Sequence, residues 1–151
     1  MSLLTFPIPV SALSQWVPHR LPMVWINEVT SASAEGGECL IKLDAQAHYI
    51  GSKGIRSSSL VEWMAQGYAY VRAVQSVHGL LAAMAAPKRA YLVSIQNVQF
   101  LADLSSLESG RSLTVRVGGY RDIGPITMFE GSVIDETGRK LATARLKVFA
   151  E

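Results

Sequence analysis

The sequence predicts an α+β domain in which antiparallel strands wrap around one long, buried helix. Three observations lead there. Two stretches ahead of residue 57 read as strands, the second with a clear two-residue alternation. From Ser57 to about Val77 the apolar residues recur at helical spacing instead. After Pro87 the pattern returns to strand-like runs separated by turns that contain glycine. Two strands, one helix and then four strands do not alternate as a parallel α/β sheet would, and they fit an antiparallel sheet with a helix packed on it. The 151 residues suit a single domain, 1–151, with a sizeable core, and no repeat, low-complexity tract or linker divides them.

Taken in order, "SALSQWVPHRLPM" begins as a short helical turn, after which Pro18 and Pro22 force extended or turn geometry. The strands "VWINEVTSAS" and "GECLIKLDA" flank "AEGG", a glycine-containing hairpin turn. In the second strand Cys39, Ile41 and Leu43 share one face, and Glu38, Leu40 and Lys42 the other. In the helix, Leu60, Met64, Val71 and Val74 form an apolar stripe that Trp63, Tyr68 and Tyr70 widen, leaving only Glu62, Gln66, Arg72 and Gln75 as polar surface. A helix so apolar nearly all round belongs inside its domain, and Gly79 is its expected stop. The strands "RAYLVSIQNVQFLA", "RSLTVRVGGYRD", "PITMFEGSVIDETG" and "RKLATARLKVFAE" follow, with "DETG" as a type I turn closed by Gly138 in the left-handed region.

Composition narrows the function. Hydrophobic residues make up 49% of the chain and charged residues 17%, so part of the surface is expected to be covered by a partner subunit. The net charge of +2 is scattered, which argues against nucleic acid, whose phosphates need a concentrated positive footprint. Cys39 is the single cysteine, expected as a small packing residue. The three histidines lie far apart without helix-spaced partners and there is no glycine-rich phosphate loop, so neither a metal nor a nucleotide cofactor is expected. "MSLLTFPIPV" lacks the features of a secretion signal and no apolar run approaches the ~20 residues of a membrane span, which makes a cytoplasmic protein with no membrane contact the expectation.

The stretch "HYIGSKGIRSSSLVEWMAQ", His48 to Gln66, holds the candidate chemistry. Glu62 has two readings. Ser59-Leu-Val-Glu62 fits a capping box, in which the glutamate reaches back to the N-cap amide. With Ser57 or Ser58 as N-cap, Glu62 instead lies deeper, a carboxyl between Val61 and Trp63 that must be paired or protonated. His48 is either a loop residue or, with an ordinary pKa near ~6.5, a general base. Gln66, one turn after Glu62, either orients the carboxyl or is a solvated position. His19 reads as shaping the turn in "PHR" before it reads as a chemical group, Arg20 as a surface or interface charge, and His78 as a favourable charge at the helix C-terminus.

Three segments together resemble the 3-hydroxyacyl-[acyl carrier protein] dehydratases, a family with the hot-dog fold. "VPHRLPMVWINEV" is similar to that family's opening motif, "HYIGSKGIRSSSLVEWMAQ" to its active-site stretch, and "LVSIQNVQF" to the strand after the helix. The fourteen residues from His48 to Glu62 match the family's spacing between histidine and acid. Two departures stand out. Ser57 takes the place of the glycine whose N–H faces the thioester, and Arg56 replaces a proline; "FLADLSSLESGRSL" replaces a short turn. These point to a divergent subfamily, of the kind that serves aryl polyene or other specialised acyl products.

The resemblance implies His48 and Glu62 as catalytic residues, with Gly51, Arg56, Ser57, Ser58 and Gln66 at the substrate. It implies an acyl carrier protein bearing a phosphopantetheine-linked acyl chain as partner. It also implies a homodimer, or a heterodimer with a related hot-dog subunit, in which each site draws one catalytic residue from each chain. Dehydration needs one group to take the proton beside the carbonyl and another to protonate the leaving hydroxyl. A neutral histidine suits the first role, and a carboxylic acid whose pKa an apolar pocket raises suits the second. On that view Glu62→Gln removes an ionisable group from an apolar pocket and stabilises the fold. The N–H groups where the helix begins, at Ser57 and Ser58, suit the charge on the thioester oxygen. The rivals are a hot-dog thioesterase and a non-catalytic subunit that binds an acyl chain or scaffolds an active partner.

Overall fold

The computed structural model describes residues 4–47, 49–52, 54–80, 90–104, 107 and 109–150. Seven strands form one antiparallel sheet: β1 (Ile8–Pro9), β2 (Glu28–Ser33), β3 (Gly36–Lys42), β6 (Ala90–Phe100), β7 (Ser112–Ile123), β8 (Ile126–Ile134) and β9 (Lys140–Ala150), in the order β1-β2-β3-β7-β8-β9-β6. The strands β4 (Ile50–Gly51) and β5 (Gly54–Ile55) make a separate small hairpin. One helix, α1 (Ser58–Val77), packs on the sheet against β7, β2, β3 and β8. The expected α+β architecture, a hot-dog sheet packed around one long helix among the described residues, is thus present. Register shifts within β2, β6 and β7 are the bulges that let so long a sheet bend around its helix.

Each half of the burial pattern follows from the sequence. Cys39, Ile41 and Leu43 are buried, while Lys42 on the opposite face is exposed. Burial pushes the Cys39 thiol up to about 12, so it is an inert packing group. Leu60, Trp63, Met64, Tyr68, Tyr70, Val71 and Val74 lie in the core. The polar residues of so buried a helix need partners, and Gln75 and Arg72 each have one, although Gln75 Oε1 and Arg72 Nη1 are buried without a hydrogen bond among the described residues. Gln75 Nε2 donates to the Ser33 carbonyl at 2.6 Å, and Arg72 Nη2 donates to Asp122 Oδ1 at 2.7 Å with its guanidinium 4.7 Å from the Tyr120 ring centroid.

The helix ends as Gly79 predicts. Gly79 has φ +66°, its N–H reaches Ser76 O, and Leu80 N–H reaches Gln75 O, the paired bonds of a Schellman stop. The Asp135–Gly138 turn also forms as expected, with Gly138 at φ +86° and the Asp135 carboxylate accepting from Thr137 and Arg139. Two features differ from the sequence expectation. The strand read as starting at Val24 begins only at Glu28, because residues 23–25 are engaged by a helix side chain instead. The helical turn in the N-terminal segment is a 3-10 turn, Val10–Leu13. The apolar stretch "GLLAAMAAP" lies largely outside the described residues.

The sheet has one conspicuous edge. Every residue of β6 except half-buried Ser94 is exposed, among them Tyr91, Leu92, Val93, Ile95 and Phe100. Where the helix meets the middle of the sheet the packing is tightest. A Cβ on Gly67 would lie 2.8 Å from Val115 Cγ1, a stiff β-branched side chain on a buried strand. Gly67→Val therefore forces helix and sheet apart and is expected to lower stability by about 1–3 kcal/mol. A chemical denaturation midpoint equal to wild type would show that the helix can shift at no cost.

Candidate active site

The site gathers where the first turns of α1 meet the segment before β2 and the β4–β5 hairpin. Ser57 is the N-cap in αR geometry and makes no side-chain cap bond, so the capping-box reading of Glu62 does not hold. Ser59 N–H donates to Arg56 O and Leu60 N–H to Ser57 O. Among the described residues no backbone carbonyl accepts from the N–H groups of Ser57 or Ser58, and both residues are exposed. Gly51 is half-buried, and the Arg56 side chain lies over it: a Cβ there would meet Arg56 Nε at 3.0 Å.

Gln66 is fully buried and every polar atom of its amide is used. Its Nε2 donates to Met23 O at 2.8 Å and to Glu62 Oε1 at 2.9 Å, and its Oε1 accepts from Trp25 N–H at 2.9 Å. The solvated reading of Gln66 is excluded. The amide ties residues 23–25 to the helix and turns the Glu62 carboxyl toward the same segment. There His19 Nε2 stands 3.4 Å from Glu62 Oε1, with the two side chains 27% and 35% exposed. Trp25 packs edge-on against Tyr49, and Tyr49 edge-on against Trp63, so an aromatic column fixes the chain beside the helix. The Tyr49 hydroxyl accepts from Asp44 N–H at 2.8 Å. His48 lies outside the described residues.

The electrostatics of Glu62 reverse an expectation. Burial pushes its pKa up, but hydrogen bonds from His19 and Gln66 and the charge of His19 outweigh burial, and the carboxyl sits below its ordinary value. The apolar neighbours Val61 and Trp63 had pointed the other way. What was missed is His19, brought from a turn 43 residues away by proline-bounded geometry that local pattern does not reveal. Only the shared Pro-His-Arg motif carried a signal of it.

These features define a hot-dog protein with an acidic group near the start of its central helix. Among solved structures the chain is similar to the dehydratase heterocomplex ApeI:P from Xenorhabdus doucetiae, with TM-score 0.78 at 18% identity, covering 98% of this chain and 93% of that one. It is also similar to the E. coli PaaI protein of the phenylacetic acid degradation operon, with TM-score 0.58 at 16% identity over 80% of each chain. A hypothetical thioesterase with coenzyme A from Streptococcus pneumoniae TIGR4 matches with TM-score 0.60 at 10% identity over 82% of this chain and 84% of that one. These likenesses establish the fold. Residues 11–151 match the ApeP-like family, ApeP dehydratase, and the chain belongs to that family. No curated protein matches the sequence. Among the described residues no helix is long and apolar enough to cross a membrane.

The lowered Glu62 pKa gives a signed expectation. A carboxyl depressed in the folded state contributes stability above its unfolded pKa, near ~4.3, and loses that contribution as pH falls through the folded value. Thermal melts of wild type and Glu62→Gln should therefore differ near neutral pH, with wild type the more stable, and converge in acid. The depressed Asp135 is common to both proteins and cancels in the difference. A variant that melts above wild type at neutral pH would restore the apolar-pocket view.

Proposed function

We propose that this chain takes part in dehydrating a 3-hydroxyacyl thioester, carried on the phosphopantetheine arm of an acyl carrier protein, to the trans-2-enoyl thioester. The observation that carries the reading is the Glu62 carboxyl, aimed by a buried amide, beside a helix start whose exposed Ser57 and Ser58 suit an anionic oxygen. Membership of the ApeP dehydratase family supports the reaction type. In the proposed reaction His48 takes the proton from the carbon beside the carbonyl. The electron pair forms the double bond, the bond from the neighbouring carbon to its hydroxyl oxygen breaks, and Glu62 supplies the proton with which that oxygen leaves as water. Glu62 must then hold a proton at the moment of reaction. An acyl chain and a partner subunit over the site remove water from around it and raise its pKa toward that state.

A second reading draws on one observation. A carboxyl held below its ordinary pKa suits a base that activates water for thioester hydrolysis, and the hypothetical thioesterase of Streptococcus pneumoniae shares the fold. Turnover of a carrier-bound 3-hydroxyacyl substrate separates the possibilities, since dehydration, hydrolysis and no reaction give different products. Glu62→Gln keeps the shape but cannot deliver a proton, and is expected to cost on the order of 10²–10⁴ in dehydration rate with the protein folded; His48→Ala should cost a similar factor, with the double variant far from multiplicative. Wild-type turnover in Glu62→Gln would remove the catalytic assignment.

The partner subunit is expected along β6. A long apolar edge strand left bare is an aggregation hazard, and pairing with a second hot-dog subunit, identical or related, would cover it. The relative from Xenorhabdus doucetiae is described as a heterocomplex, which supports a related rather than identical partner. Ile95→Lys puts a charge on this edge and is expected to release monomers, read by light scattering. An unchanged assembly mass would move the interface elsewhere.

A further inference from the structure

His19 sits on a turn whose closure does not need its ring. Met23 N–H donates to Arg20 O at 2.9 Å, and Arg20 Nη1 folds back onto the carbonyls of Val17 and His19 at 2.6 and 2.9 Å. The backbone and Arg20 thus hold the turn by themselves. The ring instead makes one polar contact, Nε2 to Glu62 Oε1 at 3.4 Å. Its Nδ1 is buried, and among the described residues nothing bonds to it. An unpaired buried nitrogen is a cost that an apolar residue filling the same space would avoid. In the neutral ring the proton belongs on Nε2, where it has an acceptor, and in the protonated ring Nε2 keeps that acceptor and the ring adds a charge.

We infer that His19 is a positioning residue for Glu62, holding the carboxyl from the turn while Gln66 holds it from the helix. The helix amide donates to Oε1 and the turn imidazole approaches the same oxygen, which leaves Oε2 free of both. At 3.4 Å the contact is long for a hydrogen bond, as such bonds often are before substrate binds. Among the described residues the groups acting on Glu62 are His19 from the turn and Gln66 from its own helix, while the neighbouring Arg20 spends its guanidinium on backbone carbonyls and Arg56 lies over Gly51. His19 is the one group of the two that carries a charge when protonated, and nothing else in the turn requires it to be ionisable. The inference rests on the dehydratase reading only for its kinetic arm.

The test uses the assembled protein with glutamate labelled at its side-chain carboxyl carbon. The Glu62 resonance, assigned by its absence in Glu62→Gln, is titrated by NMR in wild type, His19→Ala and His19→Gln. Removing the imidazole is expected to move the Glu62 titration to higher pH, with His19→Gln between the two, since glutamine keeps an N–H near the position of Nε2 but carries no charge. In turnover, kcat of His19→Ala should fall on the order of tenfold with KM nearly unchanged, and His19→Gln should recover most of the loss. An unmoved titration in folded His19→Ala overturns the inference whatever the turnover. If His19→Ala does not fold, His19→Gln decides: the lost ring charge alone must raise the titration there, and an unmoved curve overturns the inference. A moved titration in a protein that dehydrates nothing upholds the His19–Glu62 pairing and removes the dehydratase reading instead.

Discussion

The amide of Gln66 is the joint on which the site depends. Full burial obliges it to satisfy two donors and an acceptor, and it does so by gripping the backbone at Met23 and Trp25 and the carboxyl of Glu62 together. That one residue explains why 23–25 is not strand, why the turn bearing His19 lies across the helix, and why Glu62 points where it does. An apolar residue of the same size would leave a backbone N–H and a carbonyl without partners, so the amide is bound into the fold as tightly as into the site.

The helix itself is under a second constraint, its depth in the sheet. Gly67 lets α1 approach Val115, and Gly131 on β8 lies under Met64, where a Cβ would come within 2.9 Å of the methionine side chain. Close packing there fixes the helix along its length, and the Arg72–Asp122 pair and the Gly79 stop fix its far end. The N-terminal turns then have little freedom of their own. The Glu62 carboxyl is thus held by the scaffold rather than by a loop, while the helix start at Ser57 and Ser58 beside it is exposed.

Much of this was legible from the sequence because it is written in local periodicity. The alternation through Cys39, Ile41 and Leu43, the apolar stripe of the helix, Gly79 and the Asp135–Gly138 turn all depend on neighbours a few residues apart. The β4–β5 hairpin was not legible, being two residues per strand. Nor was the non-strand course of 23–25, where β-favouring Val24 and Trp25 are overridden by the hydrogen bond that Trp25 N–H donates to a side chain 41 positions away. The candidate site divides the same way. Glu62 and Gln66 sit one turn apart and their pairing could be read; His19 reaches them only through tertiary structure.

That division also explains the error in the sign of the Glu62 shift. From the chain, its neighbours are Val61 and Trp63, and an apolar surrounding raises a carboxyl. In the fold Trp63 is buried in the core and Val61 packs half-buried against it, while the carboxyl emerges on the side where Gln66 and His19 wait, so burial is opposed by two donors and a positive charge. The same geometry gives the group a means of changing state. The ionised carboxyl is supported by one long imidazole contact, one amide and partial solvent exposure, and covering it would remove the water that favours the charge. On the proposed reading, an acyl chain lying against Glu62 would act in that direction, and proton affinity at this site would then depend on the ligand as well as on the chain.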